Sequence, residues 1–187
     1  MTAAEENTLE QVTGEIRKNR GWLMFMGIVM VILGTVGLSM EVTLTVVSVL
    51  YFGVLILFGG VVMLIDAFRA GEWKSKLWHV LIALSYIAAA IVLIVNPAAS
   101  AVWITLFLAG FFIVSGVFRL IIGFQSRGAV ANWGWIVVAG LVSMVLGSII
   151  FAQWPVSGLW VIGLFVAFEL ILQGFSMISI AWASRAE

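Results

Sequence analysis

Several kinds of functional site are excluded by residue types that the sequence does not contain. The chain has no cysteine, only two prolines and a single histidine, His79, among 187 residues. Disulfides, iron–sulfur clusters and thiolate zinc sites are therefore excluded, and a histidine cluster cannot form. The P-loop, zinc-protease and serine-hydrolase motifs are also absent from the sequence. We predict no catalytic residue, no metal site and no cofactor, and we expect no enzymatic activity.

Charge is scarce as well. Only 10% of the residues are charged, the formal net charge is zero, and no basic tract is present, so nothing indicates nucleic acid as a partner. By contrast, 64% of the residues are hydrophobic and the mean hydropathy is +1.22. A soluble domain of this length could not bury so much apolar surface, so the lipid bilayer is the predicted environment.

Long apolar runs alternate with short polar connections. Each run approaches or exceeds the roughly 20 residues that a helix needs to cross the hydrocarbon. The sequence therefore predicts an all-α membrane protein whose six transmembrane helices lie at about residues 22–40, 42–65, 77–95, 99–122, 133–152 and 157–183. Residues 21–184 form the transmembrane domain. Residues 1–20 form a cytoplasmic segment that is either a frayed tail or an interfacial amphipathic helix.

All basic residues fall on one side of this topology. They lie before the first span, after the last span, and at the ends or connections that share that side, whereas the other three turns contain none. Because loops rich in Lys and Arg stay in the cytoplasm, both termini of this multi-pass protein are predicted to be cytoplasmic.

The six spans form three copies of one helical hairpin, at about residues 21–76, 77–132 and 133–184. Trp22, Trp78 and Trp135 open the odd-numbered spans at nearly equal intervals. Small residues recur at matched positions, and they allow helices to approach closely where lipid provides little hydrophobic drive for pairing. We therefore predict helix-packing roles for Gly27, Gly34, Gly60, Gly116, Gly140, Gly147 and Gly174.

The last span carries polar residues near its middle. Glu169, Gln173 and Ser176 follow one another at helical spacing, which predicts a polar stripe that points into the bundle. Apolar surroundings favour the neutral carboxyl, and ionisable residues inside membranes are functional candidates. Glu169 is either a protonated or hydrogen-bonded group that fixes helix contacts, or a pH-responsive group.

Arg119 is the other charge inside a predicted span. Its position near the cytoplasmic end favours a side chain that snorkels towards the cytoplasm. Asp66 lies at a similar depth, so a structural Asp66–Arg119 ion pair is predicted. The alternative is a pair between Arg119 and Glu169, in which the carboxylate would stay charged until severe acid.

The sequences "GVFRLIIGF" and "FELILQGF", with a proline-marked turn and a glycine near the end of each hairpin, resemble the HdeD family. The resemblance covers about residues 15–183, and Gly116, Arg119, Glu169 and Leu170 match the family pattern. It implies a small bacterial inner-membrane protein with a role in resistance to acid. It supplies no catalytic site.

Three functions follow from these observations. The first is an HdeD-like contribution to acid stress resistance, with Glu169 as the protonatable element of the helical bundle. A small transporter or channel is the second, although few polar groups lie outside the last span. A membrane scaffold is the third. The substrate, and the choice between a homo-oligomer and a membrane or periplasmic protein partner, stay open.

The predicted topology can be tested by labelling, because the chain has no cysteine of its own. A membrane-impermeant thiol reagent added to intact cells should label Met40→Cys, in the first turn, and should label Ser75→Cys and Ser126→Cys only after the membrane is permeabilised. Labelling of Ser75→Cys or Ser126→Cys from outside would overturn the orientation.

Overall fold

The computed structural model describes residues 19–69, 73–128 and 132–184. It contains six helices that are long and apolar enough to cross a membrane, with mean hydropathies between 2.0 and 2.5. The predicted all-α fold of six transmembrane helices is therefore confirmed. The helices are α1 (Arg20–Ser39), α2 (Glu41–Arg69), α3 (Trp73–Val95), α4 (Pro97–Gln125), α5 (Trp133–Ala152) and α6 (Val161–Ala183). Nearly all of the predicted N-terminal segment, residues 1–20, lies outside the described residues.

Local chemistry accounts for where two of these helices begin. The Asn96 side chain accepts a hydrogen bond from the backbone N–H of Ala99, and Pro97 occupies the first helical position of α4. The last helix starts at Val161, later than the predicted residue 157. Residues Val156–Leu159 form a turn of 3₁₀ helix instead, and the Ser157 hydroxyl ties it to α5 by donating to the Ile150 carbonyl at 2.8 Å.

The large apolar side chains lie mostly on the outside of the protein. Phe58, Phe107 and Leu172 are 70%, 79% and 64% exposed, whereas the buried hydrophobic positions are mostly alanine. A soluble protein would place the large side chains inside. Their exposure on helices of spanning length is typical of surfaces that contact lipid, as the composition predicts.

The described residues divide into two compact units, and the first comprises residues 19–41 and 163–184. Within it, α1 packs against α6 through small residues. A Cβ atom added at Gly27 would lie 2.8 Å from the carbonyl oxygen of Gly174. One added at Gly34 would lie 2.8 Å from the carbonyl oxygen of Ala167. The two helix backbones therefore touch at two levels along their length.

The second unit comprises residues 42–162 and contains two further close helix pairs. In the α2–α3 pair, a Cβ atom at Gly60 would lie 3.0 Å from Ile87 Cγ1. In the α4–α5 pair, a Cβ atom at Gly116 would lie 2.7 Å from the carbonyl oxygen of Gly140. In a second contact of that pair, a Cβ atom at Gly147 would lie 2.8 Å from the Ala109 carbonyl oxygen.

The three close pairs, α6–α1, α2–α3 and α4–α5, have the same register. We call them seams. A Cβ atom at Gly174, Gly60 or Gly116 meets the backbone nitrogen of Val31, Ile87 or Met144, at 2.9, 3.2 and 2.8 Å respectively. These three residues follow Gly27, Ala83 and Gly140 by four positions. The threefold repeat read from the sequence therefore recurs as a repeated contact, and each seam joins an even-numbered helix to an odd-numbered helix from a different hairpin.

The seams predict opposite effects for the same substitution at two positions of α4. Gly116→Ala should lower the free energy of unfolding by about 2 kcal/mol, because the new methyl group clashes with the α5 backbone. Gly110→Ala should raise it by about 0.5 kcal/mol, because nothing lies within 4 Å of a Cβ atom there and alanine favours the helix. Unfolding in mixed micelles, followed by tryptophan fluorescence, measures both changes. Equal effects would show that the α4–α5 seam is not closely packed.

Candidate functional site

The polar stripe of α6 contains a hydrogen-bonded pair of side chains. The Gln173 Nε2 donates to Glu169 Oε1 at 2.7 Å, as their spacing of four residues permits. Ser176 lies on the same side of the helix, close to one turn further on. The structure thus joins a carboxyl group to a carboxamide in the middle of a membrane span.

This stripe does not lie in a packed interior. Glu169, Gln173 and Ser176 are all exposed, so the inward orientation expected from their polarity is not what the structure shows. The seam with α1 uses the opposite face of α6, where Ala167 and Gly174 are buried. Close packing thus selects the face with the smallest side chains, and the polar stripe stands about 200° around the helix from Ala167.

Arg119 also differs from the expectation. Its guanidinium does not turn towards the near end of α4. The Nη1 atom donates to Ser143 Oγ at 3.3 Å, across the seam to α5. A Cβ atom at Gly140 would lie 3.0 Å from Arg119 Cβ, so the base of the arginine side chain lies level with Gly140. Ser143 lies about one helical turn beyond Gly140, further from the start of α5. The guanidinium therefore extends inwards along the membrane span.

The predicted Asp66–Arg119 ion pair does not appear among the contacts of the described residues. Asp66 is exposed near the end of α2, and the partner recorded for Arg119 is Ser143. The sequence did not identify Ser143 as the partner of Arg119. The available signal was its hydroxyl, one turn before Gly147 on the small face of α5, where a long side chain from a neighbouring helix can reach it.

A second arginine marks the end of the same seam. The Arg127 guanidinium lies over the Trp133 ring, 4.7 Å from its centroid, and the Phe124 ring packs against the same tryptophan. At the other end of α5, Trp154 Nε1 donates to the Val102 carbonyl at 3.2 Å. Tryptophans thus anchor both ends of the α4–α5 pair, as expected of side chains at membrane interfaces.

The described residues offer little for bond-making chemistry. No group of three or more His, Cys, Asp or Glu side chains that could hold a metal occurs among them. An open groove beside the start of α5 is lined by Asn132, Trp133, Gly134, Trp135 and Val138, none of which titrates near neutral pH. The chemically distinctive groups of this part of the chain are the Glu169–Gln173 pair and the Arg119–Ser143 pair.

The family described as "Short repeat of unknown function (DUF308)" matches residues 25–95 and 81–152. The chain is also similar to Protein HdeD of Escherichia coli K12, of Escherichia coli O157:H7 and of Shigella flexneri. In each case 24% of residues are identical over 168 residues, which cover 89% of this chain and 88% of the relative. No solved structure matches the chain.

The hydrogen bond between Arg119 and Ser143 predicts a measurable coupling. Arg119→Met and Ser143→Ala, each alone and together, should give a coupling free energy of unfolding of about 1 kcal/mol, because each single change already removes the bond. Ser148→Ala is the matched control, since that hydroxyl bonds only to Met144 within its own helix. Strict additivity of Arg119→Met with Ser143→Ala would show that the bond does not contribute to stability.

Proposed function

We infer a function from one premise: the chain belongs to the family of short repeats named DUF308. It is an HdeD-like membrane protein with six transmembrane helices. We propose that it resides in the bacterial inner membrane and contributes to survival in acid, as its resemblance to HdeD implies.

The similarity to HdeD carries this proposal. It extends over 168 residues and therefore takes in the spans and connections together, rather than one hydrophobic helix. Chance similarity between apolar helices would be local, whereas this match covers 89% of this chain and 88% of the relative. The proposal assigns the protein no catalytic step.

Glu169 is the residue through which acid would act. Among the described acidic residues it alone lies well inside a span, since Glu41 begins α2 and Asp66 stands near the end of that helix. Placing a proton on Glu169 removes a negative charge from the interior of the membrane, where charge is costly. The Gln173 amide, already bonded to this carboxyl group, is the neighbour that responds first.

The α6 helix links Glu169 to the close packing between α6 and α1. Ala167 and Gly174, on the face that packs against α1, flank Glu169 along the helix. The packing of α6 leaves no room for an additional atom at Gly174. A change of charge or of hydrogen bonding at Glu169 therefore acts on a helix that is closely packed. We propose that protonation alters the set of conformations that this closely packed pair adopts.

Acid survival of a strain that lacks this protein tests the proposal. Expression of the wild-type chain should restore survival after acid challenge by at least tenfold, and Glu169→Gln should lose most of this rescue. Glu41→Gln is the matched control and should rescue fully, because Glu41 lies at the start of α2. Failure of the wild-type chain to improve survival would overturn the function.

A second measurement tests the mechanism separately from the function. After correction for the intrinsic pH dependence of amide exchange, the hydrogen-exchange protection of α6 and α1 in the purified protein should differ between neutral and acidic pH, and Glu169→Gln should abolish this difference. Full rescue and an unchanged pH response in the Glu169→Gln variant would leave the function standing and reduce Glu169 to a structural residue.

A further inference from the structure

Two charges break the threefold pattern of the repeats. Arg119 stands three residues after Gly116, where the other copies have Met63 and Met177. Glu169 stands five residues before Gly174, where the other copies have Leu55 and Phe111. Each chain therefore contains one cation and one anion at positions that are otherwise apolar.

Arg119 reaches the middle of the membrane span. Its partner Ser143 is ten residues after Trp133, about 15 Å along α5, and α5 is about 30 Å long with 20 residues. A guanidinium bonded to Ser143 lies about halfway along that helix. In this conformation the guanidinium points away from the near end of α4 and does not snorkel to water.

Glu169 lies at a comparable depth. It is eight residues after Val161, about 12 Å along a helix of 23 residues that is about 35 Å long. Both charged groups therefore lie in the central part of their spans, where hydrocarbon offers no hydrogen-bond partner.

Neither charge is neutralised by the contacts recorded for it. Arg119 and Glu169 are both exposed, Arg119 bonds to the neutral hydroxyl of Ser143, and Glu169 accepts from the neutral amide of Gln173. A guanidinium has five N–H donors, and the bond to Ser143 uses only one of them. Charged side chains inside a membrane pair with one another or face water, because exposure to lipid is costly.

We propose that these two groups are the contact points of a homo-oligomer. The Arg119 guanidinium of one copy pairs with the Glu169 carboxylate of a neighbouring copy, inside the membrane. The charges are opposite and occur once each per chain, so every cation finds one anion. All copies insert with the same topology, so a neighbouring copy presents Glu169 at a similar depth to Arg119.

The hydrogen bonds already formed orient both groups for this contact. Ser143 holds one N–H of the guanidinium and leaves others for a bidentate bond to a carboxylate. Gln173 holds one oxygen of Glu169 and leaves the second free to accept. The large apolar side chains that surround both residues would complete the interface. This inference does not rest on the role in acid survival.

Charge reversal with mixed expression tests the pairing. Two tagged copies are labelled for energy transfer and studied in lipid vesicles, where the wild-type chain should self-associate. Arg119→Glu alone and Glu169→Arg alone should each weaken self-association at least tenfold, because both then place like charges together. The two single variants expressed together should form mixed oligomers with wild-type affinity, since each supplies the charge that the other lacks.

Three outcomes would overturn the proposal. The first is a wild-type chain that remains monomeric at high protein-to-lipid ratio. The second is rescue by the double variant Arg119→Glu/Glu169→Arg without rescue by the mixed single variants, which would place the pair within one chain. If the charge-reversal variants fail to fold, Arg119→Gln and Glu169→Gln serve instead. The third outcome is then that both of these variants associate as strongly as the wild-type chain, which would exclude the pair. Arg127→Gln is the matched arginine control and should associate normally.

Discussion

Close approach of helix backbones is the constraint on which this protein depends. Lipid solvates leucine as well as another helix does, so the helices gain stability chiefly where small residues let backbones touch. The seams meet this requirement in different ways. In the α4–α5 and α6–α1 seams the glycine of this contact is on the odd-numbered helix, at Gly147 opposite Ala109 and at Gly34 opposite Ala167. In the α2–α3 seam it is on the even-numbered helix, where a Cβ atom at Gly53 would lie 2.9 Å from Ile94 Cγ1. One glycine per contact is enough, and either helix can carry it.

This constraint also determines where polar residues lie. A seam needs its face for small side chains, so α6 carries Glu169 and Gln173 on the face away from Ala167 and Gly174. Arg119 stands at the margin of the α4–α5 seam, and Ser143 accepts its bond because serine is small enough to be buried in that contact. The chain therefore separates two tasks: small residues join its helices, and charged residues on exposed faces are available for other partners.

The fold was predictable from the sequence because it depends on features that can be read segment by segment along the chain. Apolar length gives the six spans, and the recurrence of glycine at matched positions gives the repeat. The directions in which side chains point were harder to predict from the sequence than the fold. Arg119 is long enough to reach either the membrane surface or Ser143, and only the distance across the seam decides between them. The exposure of Glu169 depends on how α6 is rotated, and the seam sets that rotation through Ala167 and Gly174. The turn of 3₁₀ helix before α6 is tied to α5 by a hydroxyl bond from Ser157 to Ile150, which the sequence pattern does not predict.

The pairing of α1 with α6 has a consequence for how the protein is made. Helices α2 and α3, like α4 and α5, are neighbours in the chain and can meet as soon as both have left the ribosome. The glycines of α1 instead fit α6, which is synthesised after α2, α3, α4 and α5. Until α6 has been synthesised, the face of α1 that packs against it stays uncovered in the bilayer, and a chain truncated before α6 would leave that face open to unrelated helices.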